Sequence, residues 1–143
     1  MSNYSVNQVN ASFAGKPINA GRGDGSFCKI AKVDKGRFKQ KAGLDGTYTF
    51  YSTGANLHEV TIILAQSSQT NDMLSAIFNG DILTDNGAGI APLLVNDHLG
   101  TSLFNATEAR ITDLPDEEFA EEPGTLEWVF ACPNPERWVG SNG

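Results

Sequence analysis

The chain is 143 residues long, 40% apolar and only 19% charged, with 15 glycines and a formal net charge of −7. That length suits one domain with its own core, and a surplus of Gly, Ser, Thr and Asn over charge points to a turn-rich β protein rather than a helical bundle. The opening MSNYSVNQVN has neither a basic nor an apolar leader region. No apolar run approaches the roughly 18 residues of a membrane span, so neither a signal peptide nor a transmembrane helix is expected.

The first element, VNASFAG, alternates Val9, Ala11 and Phe13 with polar neighbours, a period of two that predicts a half-buried strand. GKPINAGRGDG holds four glycines and a proline and reads as loop. SFCKIAKV and RFKQKAG are short strands with basic outer faces, turning at Lys35-Gly36. Asp45-Gly46 signals a turn, and Thr47 to Thr53 is aromatic and β-branched enough for a strand. After the STGAN turn comes HEVTIILAQ. Val60, Ile62 and Leu64 face one way and Ile63 and Ala65 the other, the pattern of a strand buried on both sides.

Next the period changes. Ser67, Ser68, Thr70 and Asn71 are N-cap candidates, and Asp72 falls in a first turn, where a helix dipole favours negative charge. Leu74, Ile77 and Phe78, with Met73 beside them, form an apolar stripe, and Asn79-Gly80 is a left-handed stop. A helix of about two turns is unstable alone and must dock on the preceding sheet. DILTDNGAG then reads as loop, IAPLLVND as a strand with an early proline, and HLGTS as a turn. LFNATEARIT carries Phe104 and Ala106 inward, then Ile111 after a slip. DLPDEEFAEEPGT is an acidic loop. LEWVFACP is a last strand with Trp128, Phe130 and Cys132 on one face, and NPERWVGSNG is a tail. Seven to eight short strands and one short α-helix predict a mainly β fold, a β-sandwich or small β-barrel with the helix over one opening or edge.

No constellation in the chain carries catalysis. His58 and His98, the two histidines, sit in no metal spacing. Asp81, Asp85 and Asn86 suggest a calcium loop, but Leu83 takes a ligand position and no Glu closes it. GRGDG lacks the Gly-Lys-Ser/Thr ending of a phosphate loop, and Ser67 and Ser68 have no nucleophile-elbow context. The adjacent pairs Glu117–Glu118 and Glu121–Glu122 read as a solvated face. Cys28 and Cys132 lie in apolar strands and read as buried thiols, too few for a zinc site. Sequons at Asn10 and Asn105 mean little without secretion. Neither an enzyme nor a cofactor is expected.

Charge is distributed unevenly. Eight cations (Lys16, Arg22, Lys29, Lys32, Lys35, Arg37, Lys39 and Lys41) against Asp24 and Asp34 give residues 1–43 a net +6. Fifteen acids against Arg110 and Arg137 give the remainder −13, with Asp113, Asp116, Glu117, Glu118, Glu121 and Glu122 crowded into DLPDEEFAEE. The basic stretch, interleaved with Phe38, suits nucleic acid, but the acidic remainder would repel phosphates. Opposed patches favour head-to-tail association of copies, which closes into rings or runs on as filaments. The alternatives are a β-sandwich that binds nucleic acid or decorates a capsid. Trp128 in the core and Trp138 alone near the tail offer no cluster for glycans.

Two stretches carry a resemblance. GLDGTYTFYSTGANLHEVTIILAQSSQTNDMLSAIF has a Gly/Asp turn, a polar linker, an apolar strand ending in Gln-Ser-Ser-x-x-Asn and a short helix. PLLVNDHLGTSLFNATEARITDLPDEEFAEEPGTLEWVFACP has an Asp-x-x-Gly turn, a Leu-Pro-Asp step and a closing Glu-Trp strand. Together they resemble the tail tube proteins of contractile-tailed bacteriophages, relatives of tailocin and type VI secretion tubes, over most of residues 20–133. The resemblance implies a single domain over 1–143, a β-barrel or sandwich with one helix, built into six-fold rings that stack into a hollow tube. It implies as partners the sheath, baseplate and terminator proteins, a place in the virion tail after synthesis in the host cytoplasm, and DNA passing without specific binding. No membrane, cofactor, metal or catalytic residue is implied. A hairpin or loop at about 35–56 would reach the adjacent ring. The expected interface residues are Lys35, Arg37, Lys39, Lys41, Leu74, Ile77, Asp116, Glu117, Glu118, Glu121 and Glu122. Lumen-facing acids are expected among Asp72, Asp81, Asp85, Glu108 and Glu127.

Overall fold

A computed structural model describes residues 9–18, 28–33, 36–54, 56–84, 86–97 and 100–140. Its centre is one uninterrupted ladder. Strands β6 (Leu57–Ala65) and β9 (Thr125–Pro133) pair antiparallel from Leu57 opposite Pro133 to Ala65 opposite Thr125. Directly opposed residues share a face, so period-two hydrophobicity in both strands builds one apolar surface. Val60 with Phe130, Ile62 with Trp128 and Leu64 with Leu126 are all buried on it. The opposite face of β6 is half-buried at Ile63 and Ala65, which corrects the expectation of a strand buried on both sides.

The other strands are β1 (Val9–Phe13), β2 (Lys16–Pro17), β3 (Cys28–Lys32), β4 (Phe38–Ala42), β5 (Tyr48–Ser52), β7 (Ala91–Asp97), β8 (Leu103–Asp113) and β10 (Glu136–Trp138). The pairing path runs β2-β1-β7-β8-β9-β6-β3, with β10 also on β8. β8 belongs to both layers. Its first half lies between β7 and β10, and its end pairs with β9. Extra residues on β8 opposite Ala91/Leu93 and opposite Phe130/Val129 make two bulges, which bend and twist it from one layer into the other. The first bulge is the slip visible in the sequence: Phe104 and Ala106 point inward, then Ala109 and Ile111. The layers close on each other with the Phe13 and Phe130 rings 4.9 Å apart and tilted by 60°. Among the described residues β2 and β3 at the ends of the path do not pair, so this is a sandwich, not a closed barrel.

Three local expectations are corrected. Lys16 and Pro17, read as loop, pair with Phe13 and Ser12 across a two-residue turn with positive φ at Ala14 (55°) and Gly15 (77°). The tail forms β10, with Arg137 opposite Phe104. Helix α1 runs Thr70–Thr84, through the expected stop at Asn79-Gly80. The physical reason is Asp81, which is buried just past that stop and bonded to Arg110 of β8 through Nε–Oδ2 at 2.6 Å and Nη2–Oδ1 at 3.0 Å. A bidentate charge-assisted pair outweighs the roughly 1 kcal/mol that glycine costs inside a helix.

The helix start is capped as its sequence suggests: Thr70 N–H donates to Ser68 Oγ at 3.2 Å. Asn71 acts differently. Its Nδ2 donates to the carbonyls of Ala65 (3.0 Å) and Gln66 (3.3 Å), while its Oδ1 accepts from Trp128 Nε1 at 2.9 Å. One amide thus fastens the helix to both central strands.

Candidate functional site

Strands β4 and β5 form a two-stranded sheet of their own, and among the described residues no ladder joins it to the sandwich. The register puts Phe38, Gln40 and Ala42 on one face with Ser52, Phe50 and Tyr48, and Lys39 and Lys41 on the other with Tyr51 and Thr49. Phe38, Phe50 and Tyr48 are 70%, 74% and 66% exposed. At the tip, Asp45 Oδ1 accepts from Thr47 Oγ1 (2.7 Å) and N–H (3.2 Å), bonds that hold its carboxyl below the ordinary range. At the base, Thr53 N–H donates to Arg37 O at 3.0 Å. An isolated two-stranded hairpin is marginal in water, and an exposed aromatic face marks a surface meant to be covered.

The acidic loop is a strap between β8 and β9. Gln66 holds it, donating through Nε2 to Glu118 O at 3.1 Å and accepting from Gly124 N–H through Oε1 at 3.1 Å. Asp116, Glu117, Glu118, Glu121 and Glu122 are all exposed. The strap therefore sits where β6 ends. At the other end of β6 lie His58, Lys32 opposite it on β3, Arg37 and Arg137. His58 and Gln66 are eight residues apart, about 26 Å of extended chain at 3.3 Å per residue. A cationic cluster thus stands at one end of the sandwich, with Glu59 and Glu136 nearby, and the acidic strap stands at the other. Among the described residues, neither Lys32, Arg37 and Arg137 nor the five strap carboxylates has an ion-pair partner within the chain.

The other predicted residues separate. Lys35 and Asp85 lie outside the described residues, as does His98. Leu74 is wholly buried in its own core, and Ile77 is partly buried against that core. Asp81, expected among the lumen-facing acids, is 4% exposed, and Arg110 holds its carboxyl below the usual range. A Cβ on Gly89 would stand 2.6 Å from the Asp81 side chain, so only glycine fits behind this pair. Asp72, Glu108 and Glu127 are exposed, with Glu127 opposite Ile63 on the outer face of the ladder. Both thiols are free, and burial pushes Cys28 and Cys132 up to about 12. Sequence reasoning missed Ile82 (61% exposed) and Leu83 (86%), because it ended the helix before them.

The family model described as the bacteriophage PhiTE tail tube protein matches residues 1–140. This chain belongs to that family. The chain is also 30% identical over 105 residues to structural protein ORF10 of Pseudomonas phage KPP10, covering 73% of its own length and spanning 61% of ORF10. Two solved structures share its fold at low identity. One is the anti-feeding prophage tube-terminating cap, with a TM-score of 0.63 at 9% identity over 100% of this chain and 93% of that one. The other is the sheath/tube terminator of the PVC extracellular contractile injection system, with a TM-score of 0.61 at 12% identity over 97% and 99%. Its family places the chain among the structural proteins of phage tails.

Proposed function

We propose that this chain assembles into hexameric rings that stack into the hollow inner tube of a contractile tail, through which DNA passes. The observation that carries this reading is that the cationic cluster and the acidic strap, without ion pairs among the described residues, stand at opposite ends of one ladder, with a hairpin leaving the basic end that has no core of its own. A copy with such ends binds the next head to tail, and the exposed aromatic face of the hairpin gains its burial there. Sheath, baseplate and terminator proteins are the partners this role requires, and the work is structural rather than catalytic. Phosphates neutralised by Lys or Arg would release counterions and hold the DNA, so a conduit is best lined with acids. Asp72, Glu108 and Glu127 are the exposed candidates for that lining.

Electron microscopy of the purified protein tests the proposal. Rings or tubes are expected, and strictly monomeric particles across concentration and salt would refute it. The double variant Lys39→Glu/Lys41→Glu should fold normally, because both side chains are exposed, yet give rings that fail to stack.

A further inference from the structure

At the basic end, the sandwich and the base of the hairpin line a half-open cavity of about 320 Å³. Lys32 comes from the end of β3, His58 from β6, Arg137 from β10 and Arg37 from the residue leading into β4, with Asn56 beside them. No carboxylate among the described residues lines it; Asp34 and Lys35, close to Lys32 in sequence, lie outside those residues. His58 is 6% exposed and its Nδ1 has no hydrogen-bond partner among the described residues. Three cations with no ion pair among the described residues share one cavity and repel one another, and an anion between them turns that repulsion into charge-assisted bonds. The cavity holds about ten waters' share of liquid volume, room for an acidic side chain with part of its hydration.

We propose that this cavity is a carboxylate-binding site, filled by an Asp or Glu side chain from the acidic strap of a second copy. The chain's own strap is tied to Gln66 at the far end of β6. Among the described residues the chain offers this cavity no carboxylate of its own, and the strap of another molecule is the acidic segment that supplies one, its charges being without ion pairs among those residues. The site also lies on a joint. Arg37 belongs to the hairpin, whereas Lys32 and Arg137 belong to the sandwich. A carboxylate clasped by both fixes the hairpin against the body, so docking of one copy orients the hairpin that must meet another.

This inference rests on the proposed head-to-tail assembly, and its test separates the two. The full-length protein is titrated calorimetrically with a peptide of residues 113–122 and, separately, with inorganic phosphate. The peptide should bind, weakening at least tenfold in Arg137→Gln and in Lys32→Gln. Lys29→Gln, an exposed lysine that does not line the cavity, should bind as the wild type does. Thermal melts of each variant confirm folding, which the exposure of all three side chains favours. Absence of peptide binding at low salt, equal weakening by Lys29→Gln, or binding of phosphate but not peptide would each overturn the site. Wild-type tubes without peptide binding leave the tube reading standing and sink this one. Peptide binding lost in the cavity variants, with no rings or tubes, keeps the site and sinks the tube.

Discussion

The β6–β9 ladder and the β4–β5 hairpin are made by the same antiparallel pairing, yet one is the most protected part of the molecule and the other the most exposed. In the ladder, every second residue is sealed between two layers. In the hairpin, the aromatic residues that would do the same work face solvent. Backbone pairing is thus common to both, and what separates them is where the apolar face finds its partner: within the chain for the ladder, outside it for the hairpin.

Substitution should break that symmetry most sharply at the aromatic positions. Phe130→Ala should cost about 3–5 kcal/mol of stability in chemical denaturation, because it empties a closed core. Phe50→Ala, in the hairpin, should move monomer stability by no more than about 0.5 kcal/mol and instead weaken assembly in sedimentation. Equal losses at the two sites would show that the hairpin is folded onto the body. Next in size, Asn71→Ala should cost about 1–3 kcal/mol, since it takes the partner from buried Trp128 Nε1 and from the Gln66 carbonyl, while the Ala65 carbonyl keeps the Ser68 N–H.

A smaller effect appears with pH at the basic end. Burial, then the charges of Arg137 and Lys32, push His58 below its ordinary 6.5. The other side chains against it, Phe104 and Cys132, supply no negative charge. The unfolded chain therefore binds the proton first. Stability is full above pH 6.5 and falls as pH drops from there through the folded value. His58→Phe should flatten that part of a melting-temperature profile, and an unchanged slope would assign it to other groups. The smallest expected change is a gain: Ala14→Gly relieves a left-handed φ of 55° and should stabilise the β1–β2 turn by about 0.5–1 kcal/mol in the same denaturation assay.

Much of the fold was legible because strands announce themselves locally. Val60, Ile62 and Leu64, and Trp128, Phe130 and Cys132, reveal their buried faces by alternation alone, and the irregular spacing from Ala106 to Ile111 already betrays the bulge. β10 was illegible because three residues set no period, and it exists through its pairing with β8. The helix end was misread because Asn79-Gly80 is a valid local stop that the distant Arg110 overrides. Of the candidate site, the unequal charge was plain in the sequence, but the cavity was not. Lys32, Arg37, His58 and Arg137 are scattered over more than a hundred residues and meet only when the sheet folds.

By itself the sequence determined a β-rich chain with one helix, the buried faces of its central strands and an excess of each charge in a different segment, since all of these depend on neighbours within a few residues. Tertiary structure alone decided that Asp81 is a buried clamp rather than a surface acid, and that the cationic cluster and the acidic strap stand at opposite ends. The antiparallel β6–β9 ladder holds the strap and the basic cavity about 26 Å apart, and a separation in space is set by pairing partners distant in the chain.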